Sequence, residues 1–555
     1  MMPGGAALRR LEALRNDFGP GRGAEKLELL RALERAPLRS RRAVLRLHEQ
    51  LCFIRAYPDD EKVLAQLQLM LSRFHRRGDL RRRRADLADT GIAGTDIHYR
   101  FFWPTARWLS VRWPALFHVD WNALDEPERL SAALPLMATP IEAEWLRNTH
   151  PAPRAALGRL VPKGASQAAF LIRRIAAMPG SDATRESYCD TLDVPFVLRP
   201  GPDTPSRTRA EYARAPVAFV RQPLRRERPD LDAELKRPPR SVRAASPTEA
   251  HRLIDLAHEA MVTHARDLDA FSYGNPRDVW IVDDGEGLQW ALVGMIPERR
   301  LLLRAAYGFL TLRNGVPTGY GQLDALCHTV DIAFNSFATF RGAEVARIFV
   351  RLLAASRAVL GAAAFTLEPY QLGHHNAEGI ASGAWWFYYK LGFRPRDPAI
   401  RALAEAELER MRADPGHRSP VATLKQLAAD YLFFETEGVR APYWPRLADV
   451  GARAAERLAA LDGLDREAAV RQCVDDARRR LGLRDLPSGT RDMRLAWERW
   501  SPIVALLPVE RWSRSERQAL AAVINAKGGP SDRDFVNRFD AHPRLASALR
   551  ALIHA

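Results

Sequence analysis

Two kinds of hydrophobic spacing alternate along this chain and constrain its fold. In residues 1–194 and 401–555, apolar side chains recur every three or four positions between charged ones, as in helices with one buried face. In residues 246–400, helical stretches alternate with short runs of β-branched and aromatic residues, which are typical of strands. The sequence therefore predicts an α+β fold, with a mixed-sheet domain flanked by mostly α-helical N- and C-terminal regions.

Proline marks the boundary before the central segment. Ten of the 38 prolines of this 555-residue chain fall within residues 195–247. Proline fixes φ and lacks a backbone N–H donor, so long regular elements are not expected there. We therefore predict four parts: a mostly helical domain of unknown role over residues 1–194, a Pro/Arg-rich linker over 195–245, an α+β domain over 246–400, and a helical C-terminal domain over 401–555.

Several local signals support this interpretation of the central segment. Ser246 and Glu249, with Pro247 between them, have the spacing of a capping box at the start of a helix. The pair Asn314 and Gly315 predicts a tight hairpin turn, because both residues tolerate positive φ. A strong amphipathic pattern predicts a helix over residues 343–360.

The net charge of +16 raises the possibility of nucleic-acid binding. Only seven of the 83 basic residues are lysines, and most arginines are interleaved with acidic residues at helical spacing. The densest basic run, RFHRRGDLRRRR at residues 73–84, is interpreted first as a solvated face and second as a nucleic-acid patch.

Cysteine usage and hydropathy indicate the compartment. The four cysteines lie far apart and form no Cys-x-x-Cys pair, which predicts a reducing environment without a zinc ribbon. No apolar stretch approaches the roughly 20 residues of a membrane-spanning helix, and no export signal is evident. We expect a multidomain, arginine-rich cytoplasmic protein without a membrane partner.

Four motifs of the central segment occur in a distinctive order: SPTEAHRLIDLAHEA, RNGVPTGYGQL, FRGAEVARIFVRLL and WWFYYKLGFRP. By order and spacing, residues 246–400 resemble the GNAT superfamily of acyl-CoA-dependent N-acyltransferases, whereas the flanking regions resemble no family that we recognise. The resemblance implies acetyl-CoA or another acyl-CoA as co-substrate and a primary amine, on a small molecule or a protein, as acceptor. It implies no metal.

The third motif contains a loop that enters a helix. Such a loop offers free backbone N–H groups and the positive end of the helix dipole to an anion. The family pattern there is Arg/Gln-x-x-Gly-x-Gly/Ala. Arg341 and Ala346 match it, but Glu344 stands at the middle glycine, where its carboxylate would repel a diphosphate. The resemblance implies donor binding by Arg341, Gly342, Ala343, Glu344, Val345, Ala346 and Asn376.

The fourth motif and the predicted strand ends supply candidates for catalysis. Tyr388 matches the family's general acid, which protonates the departing thiolate. Three residues are candidates for the general base: Asp331, Glu368 and His374. Adjacent histidines rarely direct both rings at one ion, so His374 and His375 do not predict a metal site.

Three functions remain open. The first is an N-acyltransferase that uses Tyr388. The second is a non-catalytic interaction or scaffold protein with a degenerate GNAT-like fold, which Glu344 favours. The third is a nucleic-acid-associated protein that binds through its arginine-rich helices.

Overall fold

In a computed structural model, the described residues are 4–224, 227–342, 344–436, 439–441, 447–461, 465–485 and 489–554. They form an α+β fold in which a large mixed sheet is flanked by mostly α-helical N- and C-terminal regions, as predicted. None of the helices in these ranges combines the length and apolar character that crossing a membrane requires.

Helices dominate both flanks of the chain. The N-terminal helices are α1 (Gly4–Ala13), α2 (Arg22–Arg35), α3 (Arg41–Ala56), α4 (Glu61–Ser72), α5 (Gly78–Arg82), α6 (Trp103–Arg112), α7 (Pro127–Met137), α8 (Pro140–Thr149), α9 (Pro153–Leu160), α10 (Gln167–Ala176) and α11 (Asp182–Leu192). The central helices are α12 (Leu231–Lys236), α13 (Pro247–Thr263), α14 (Asp269–Ser272), α15 (Val345–Leu360), α16 (Pro369–Leu372), α17 (Ala377–Ser382) and α18 (Ala384–Leu391). The C-terminal helices are α19 (Pro398–Ala413), α20 (Val421–Leu427), α21 (Leu447–Leu461), α22 (Arg466–Arg480), α23 (Arg491–Val504), α24 (Arg514–Lys527), α25 (Asp532–Ala541) and α26 (Leu545–His554).

The strands form two sheets. A small sheet has the order β1-β3-β2 and contains β1 (Ile97–Tyr99), β2 (Phe117–Val119) and β3 (Phe196–Leu198). The nine-stranded sheet has the order β11-β12-β10-β9-β8-β7-β6-β5-β4. Its strands are β4 (Ser241–Ala244), β5 (Gly274–Gly285), β6 (Leu288–Met295), β7 (Ala305–Arg313), β8 (Val316–Leu326), β9 (Thr329–Ser336), β10 (Ala364–Leu367), β11 (Arg394–Pro395) and β12 (Leu432–Glu435).

The chain divides into two compact units, each assembled from separate segments. The first contains the described residues of Met1–Leu224, Arg252–Tyr273 and Leu312–Thr318. The second contains those of Arg225–His251, Gly274–Thr311 and Gly319–Ala555. Part of the proline-rich segment therefore belongs to the first unit. There, Arg55 donates hydrogen bonds to the carbonyl oxygens of Thr208 at 2.9 Å and Ala210 at 3.2 Å.

A single hydrophobic core joins the sheet to helices of the second unit. It includes Trp290 and Tyr307 from the sheet, Phe349 from α15, and Trp500 and Phe535 from the C-terminal helices. Burial of these large side chains is the main favourable contribution to folding. Within this unit, the C-terminal helices therefore form one core with the sheet.

A buried ion pair anchors α15. Arg351 is fully buried, and its Nε donates to both carboxylate oxygens of Asp284 in β5, at 3.0 and 2.9 Å. Arg351 Nη1 also donates to the carbonyl oxygen of Arg237, at 2.8 Å. A buried guanidinium is tolerated only when its donors are satisfied, so these contacts define where α15 sits against β5.

The local signals of the central segment are realised in the structure. Glu249 Oε2 accepts a hydrogen bond from the Ser246 backbone at 3.0 Å, and Ser246 Oγ accepts one from the Glu249 backbone at 3.4 Å. The turn between β7 and β8 has φ values of 49° at Asn314 and 75° at Gly315. The helix predicted over residues 343–360 is α15.

Candidate functional site

Strands β9 and β10 pair with each other over only three residues. They are parallel, and their register matches Ala364 with Thr329, Phe365 with Val330, and Thr366 with Asp331. Pairing ends there, whereas β9 continues to Ser336 and β10 ends at Leu367. We call the space between residues 332–336 of β9 and residues 368–372 the strand gap. Parallel neighbours need a long crossover connection, which α15 provides.

The side chain of Gln371, from the short helix α16, spans the strand gap. Its Oε1 accepts a hydrogen bond from the backbone N–H of Phe334 at 3.2 Å, and its Nε2 donates to the carbonyl oxygen of Phe334 at 2.9 Å. Gln371 therefore satisfies both backbone groups of one β9 residue, as a neighbouring strand would. Sequence analysis did not identify Gln371, because no motif spacing distinguishes it.

Tyr388, the predicted general acid, also borders the strand gap. Its hydroxyl oxygen accepts a hydrogen bond from Gln371 Nε2 at 2.8 Å, which leaves the phenol's own proton for another acceptor. The side chain is buried, and its ring makes an edge contact with Phe349 at a centroid distance of 5.1 Å. Burial raises the pKa of the Tyr388 phenol well above its ordinary value, so the group is protonated at neutral pH.

Three carboxyl groups lie near one another where the pairing of β9 and β10 ends. Asp331 and Asp324 face each other across the pair formed by β8 and β9, and Glu368 follows β10. We call Asp324, Asp331 and Glu368 the carboxylate cluster. Arg304 Nη1 lies 3.0 Å from Asp324 Oδ2, and Gln322 Nε2 donates to Asp324 Oδ1 at 2.9 Å. The cluster therefore contains more acidic than basic groups around Asp331.

The pKa values of the cluster reflect this crowding. Burial raises the pKa of Asp331 to about 8, and the charges of Asp324 and Glu368 add to the effect. A hydrogen bond donated by Thr366 Oγ1 to Asp331 acts in the opposite direction. Burial, followed by the charge of Asp324, also raises the pKa of Glu368. A carboxyl group that titrates near pH 8 is mostly protonated at neutral pH and is suited to accept a proton at weakly basic pH, where it is ionised.

Asp331 and Tyr388 approach the strand gap from different sides. Side chains alternate along a strand, so Asp331 points away from the face that carries Ile332 and Phe334. Phe334 packs on Phe349 of α15 at a centroid distance of 5.3 Å, and Tyr388 contacts the same ring. The Tyr388 phenol therefore borders the strand gap on the α15 face, and the Asp331 carboxyl group lies on the other face at the last paired position before the gap.

The loop before α15 contains the residues predicted to bind the donor. Gly342 is exposed with a φ of 82°, and a Cβ atom placed there would meet no atom within 4 Å. Arg341 is exposed and forms an ion pair with Glu378. Val345 and Ala346, in the first turn of α15, are partly buried. Ala343 lies outside the described residues.

Glu344 does not stand as an isolated charge in the loop before α15, because a neighbouring arginine pairs with it. It is 5% exposed, and its Oε1 accepts a hydrogen bond from Arg347 Nη1 at 2.9 Å. Arg347 Nη2 also donates to Glu286 Oε2 at 2.9 Å. The neighbouring cation offsets much of the repulsion that the Glu344 carboxylate would exert on a diphosphate.

His374 and Asn376 follow α16. His374 is exposed, and its ring contacts that of His375 at a centroid distance of 4.2 Å. Asn376 caps α17, because its Oδ1 accepts a hydrogen bond from the Gly379 backbone at 3.0 Å. Its Nδ2 donates to the carbonyl oxygen of Tyr370 at 3.0 Å. Their predicted roles, in proton transfer and in donor binding respectively, remain predictions.

The arginine-rich run at residues 73–84 makes contacts with its own unit. Arg77 pairs with Asp79 at 2.8 Å and donates to the carbonyl oxygen of Ala36 at 2.9 Å. Arg84 pairs with Asp96 at 3.0 Å. These two arginines already serve as partners within the fold, which favours the interpretation of this run as part of a folded surface.

The part of the chain that the structure describes contains no group of three or more His, Cys, Asp or Glu side chains arranged to hold a metal ion. In comparisons with known proteins, no family model, no curated protein and no solved structure matches this chain.

Proposed function

We propose that this chain is an N-acyltransferase that moves an acyl group from an acyl-CoA to a primary amine. The observation that carries the proposal is the strand gap, which has the protonated phenol of Tyr388 at one face and the Asp331 carboxyl group, with a pKa of about 8, at the other. Acyl transfer to an amine needs a group to take the amine's proton and a donor to stabilise the departing sulfur.

The proposed reaction begins with the acceptor. Asp331 accepts a proton only in its ionised form, whose fraction rises as the pH approaches and exceeds its pKa of about 8. In that form it takes a proton from the protonated amine, directly or through water. The amine nitrogen then attacks the thioester carbonyl carbon, and backbone N–H groups of β9 stabilise the developing oxyanion. The carbon–sulfur bond then breaks, and the nitrogen loses its second proton to solvent as the amide forms. The proton taken up by Asp331 also passes to solvent.

Tyr388 acts on the leaving group in this scheme. Because its pKa lies far above that of a thiol, complete proton transfer to the thiolate is unfavourable in the resting environment. The hydroxyl instead donates a hydrogen bond to the sulfur as negative charge develops there, and the thiolate is finally protonated by solvent. This contribution is made in the transition state and is therefore expected in kcat.

The test is an assay of acyl transfer from acetyl-CoA and longer acyl-CoAs to a panel of primary amines. Tyr388→Phe is expected to lower kcat by roughly 10²-fold while donor binding, measured by calorimetric titration, stays unchanged. The control is Tyr389→Phe, because Tyr389 is adjacent and stacks on Trp385 at a centroid distance of 4.9 Å. Equal activity in wild type and Tyr388→Phe would remove Tyr388 from the mechanism, and absence of acyl-CoA binding would refute the proposed function.

A non-catalytic scaffold is the second candidate function, and the position of Gln371 favours it. The Phe334 backbone groups are already bonded to Gln371, so the resting strand gap contains a side chain of the protein itself. A scaffold would retain this arrangement permanently. The same calorimetric titration separates the two functions, since a scaffold without a donor site gives no heat with any acyl-CoA.

A further inference from the structure

Gln371 has the bonding pattern of a bound ligand. One primary amide makes three hydrogen bonds, to the N–H and the C=O of Phe334 and to the hydroxyl of Tyr388. We propose that Gln371 is an internal competitor of the donor: its side-chain amide closes the strand gap, and the amide-bearing arm of the acyl-CoA must displace it to reach Tyr388. This inference rests on the proposed function and concerns the regulation of the same site.

Competition follows from the chemistry of the donor. The arm that links the nucleotide of coenzyme A to its sulfur is a flexible chain with two secondary amides. Each amide presents one N–H and one C=O group, which are the partners that the Phe334 backbone offers along an open strand edge. Gln371 and a donor amide cannot both bond to these two groups, because the Phe334 N–H has a single hydrogen to donate.

The structure also allows Gln371 to leave. Its side chain is only partly buried, and it belongs to the four-residue helix α16, whose neighbour Tyr370 is 58% exposed. Three side-chain torsions can turn the amide into solvent, where water replaces its hydrogen bonds. No change in the backbone of β9 is required, so the closed gap opens by rotation of one side chain.

The test compares the binding of coenzyme A, and of pantetheine as the amide arm without the nucleotide, to wild type and Gln371→Ala. Loss of two competing hydrogen bonds is expected to tighten the binding of both probes by about tenfold. Gln371→Glu is the second variant, because its carboxylate can accept from the Phe334 N–H but repels the Phe334 carbonyl oxygen. Gln371→Glu should therefore tighten the binding of both probes less than Gln371→Ala does. The control is Gln426→Ala, at an exposed position on α20, which should leave the binding of both probes unchanged.

The outcomes separate this inference from the function on which it rests. Tighter binding of both probes to Gln371→Ala supports the competitor. Equal or weaker binding to the variant, with measurable binding to wild type, refutes the competitor and leaves the acyltransferase proposal standing. Absence of binding to every variant refutes both. If thermal unfolding shows that Gln371→Ala does not fold, the comparison of Gln371→Glu with wild type decides between the same outcomes.

Discussion

The surroundings of Asp331 strongly change the pKa of its carboxyl group. An aspartate in water has a pKa of about 3.9, whereas burial among Asp324 and Glu368 raises the pKa of Asp331 to about 8. Near neutral pH the group is therefore mainly protonated in the folded protein. In the unfolded chain it is ionised. Folding stability must then depend on pH at this position.

Asp331→Asn tests that dependence without reference to function. Because the folded pKa is raised, the wild type loses stability as pH increases from about 4 to about 8, and the loss is complete above pH 8. The asparagine variant has no carboxyl group at this position, so its stability does not fall in this way. Its free energy of unfolding relative to wild type should therefore rise by about 5 kcal/mol between pH 4 and pH 8.5.

Urea unfolding of the wild type and of Asp331→Asn at these two pH values measures this change in relative stability. The substitution Asp475→Asn, at an exposed position on α22, serves as the control. An Asp331→Asn curve parallel to that of the wild type at all pH values would show that the Asp331 carboxyl group titrates normally.

A buried ion pair in the second unit, between Lys527 and Asp532, holds neighbouring elements together. Lys527, at the end of α24, donates from Nζ to Asp532 Oδ1 at 3.0 Å and to the carbonyl oxygen of Arg304 at 2.8 Å. Its ammonium lies 4.1 Å from the centre of the Phe535 ring. Burial lowers the pKa of Lys527 to about 8. At the scale of elements, this pair joins α24, the start of α25 and the segment before β7.

Asp532→Asn should destabilise the protein by about 3–5 kcal/mol near pH 7, because it leaves a buried cation without its anionic partner. The penalty should shrink above pH 8, where Lys527 is neutral in the folded state. The double variant Lys527→Met with Asp532→Asn removes the stranded charge and should recover part of the lost stability. Chemical denaturation measures all three proteins, and a double variant less stable than the single one would contradict this account.

At the scale of the whole molecule, both units contain residues from distant parts of the chain. Residues 252–273 and 312–318 belong to the first unit, although they follow segments of the second. A cut in the chain just after Leu224 therefore leaves the C-terminal fragment with two segments, residues 252–273 and 312–318, that complete the first unit. The two units cannot be separated by one cleavage, unlike domains that are joined by a single linker.

Limited trypsin digestion tests this consequence. Arg214 and Arg221 are exposed and stand in the proline-rich stretch, where early cleavage is expected. After that cleavage, the two fragments should separate in a denaturing gel but elute together in native size-exclusion chromatography. Elution of a folded fragment that ends near residue 224, apart from the rest of the chain, would show that the first unit is complete without the later segments.

Local signals predicted the elements of the central segment well. Three local features depend only on residues that are neighbours in the chain, and they could therefore be predicted from sequence. They are the capping box of Ser246 and Glu249, the turn at Asn314 and Gly315, and the amphipathic pattern of α15. The pair of Glu344 and Arg347 also has the spacing of helical neighbours. The partner of Arg347 on the other side, Glu286, is distant in sequence and could not be predicted.

The sequence by itself determined the fold class and put Asp331, Glu368 and Tyr388 among the candidates, because residue type and spacing describe what a side chain can do. Only the tertiary structure brought Asp324 opposite Asp331 and inserted Gln371 between Phe334 and Tyr388. The physical reason is that the parallel pairing of β9 and β10, across the crossover helix α15, decides which distant groups share one desolvated space. Desolvation and the contacts made there then set the acidity and availability of each group.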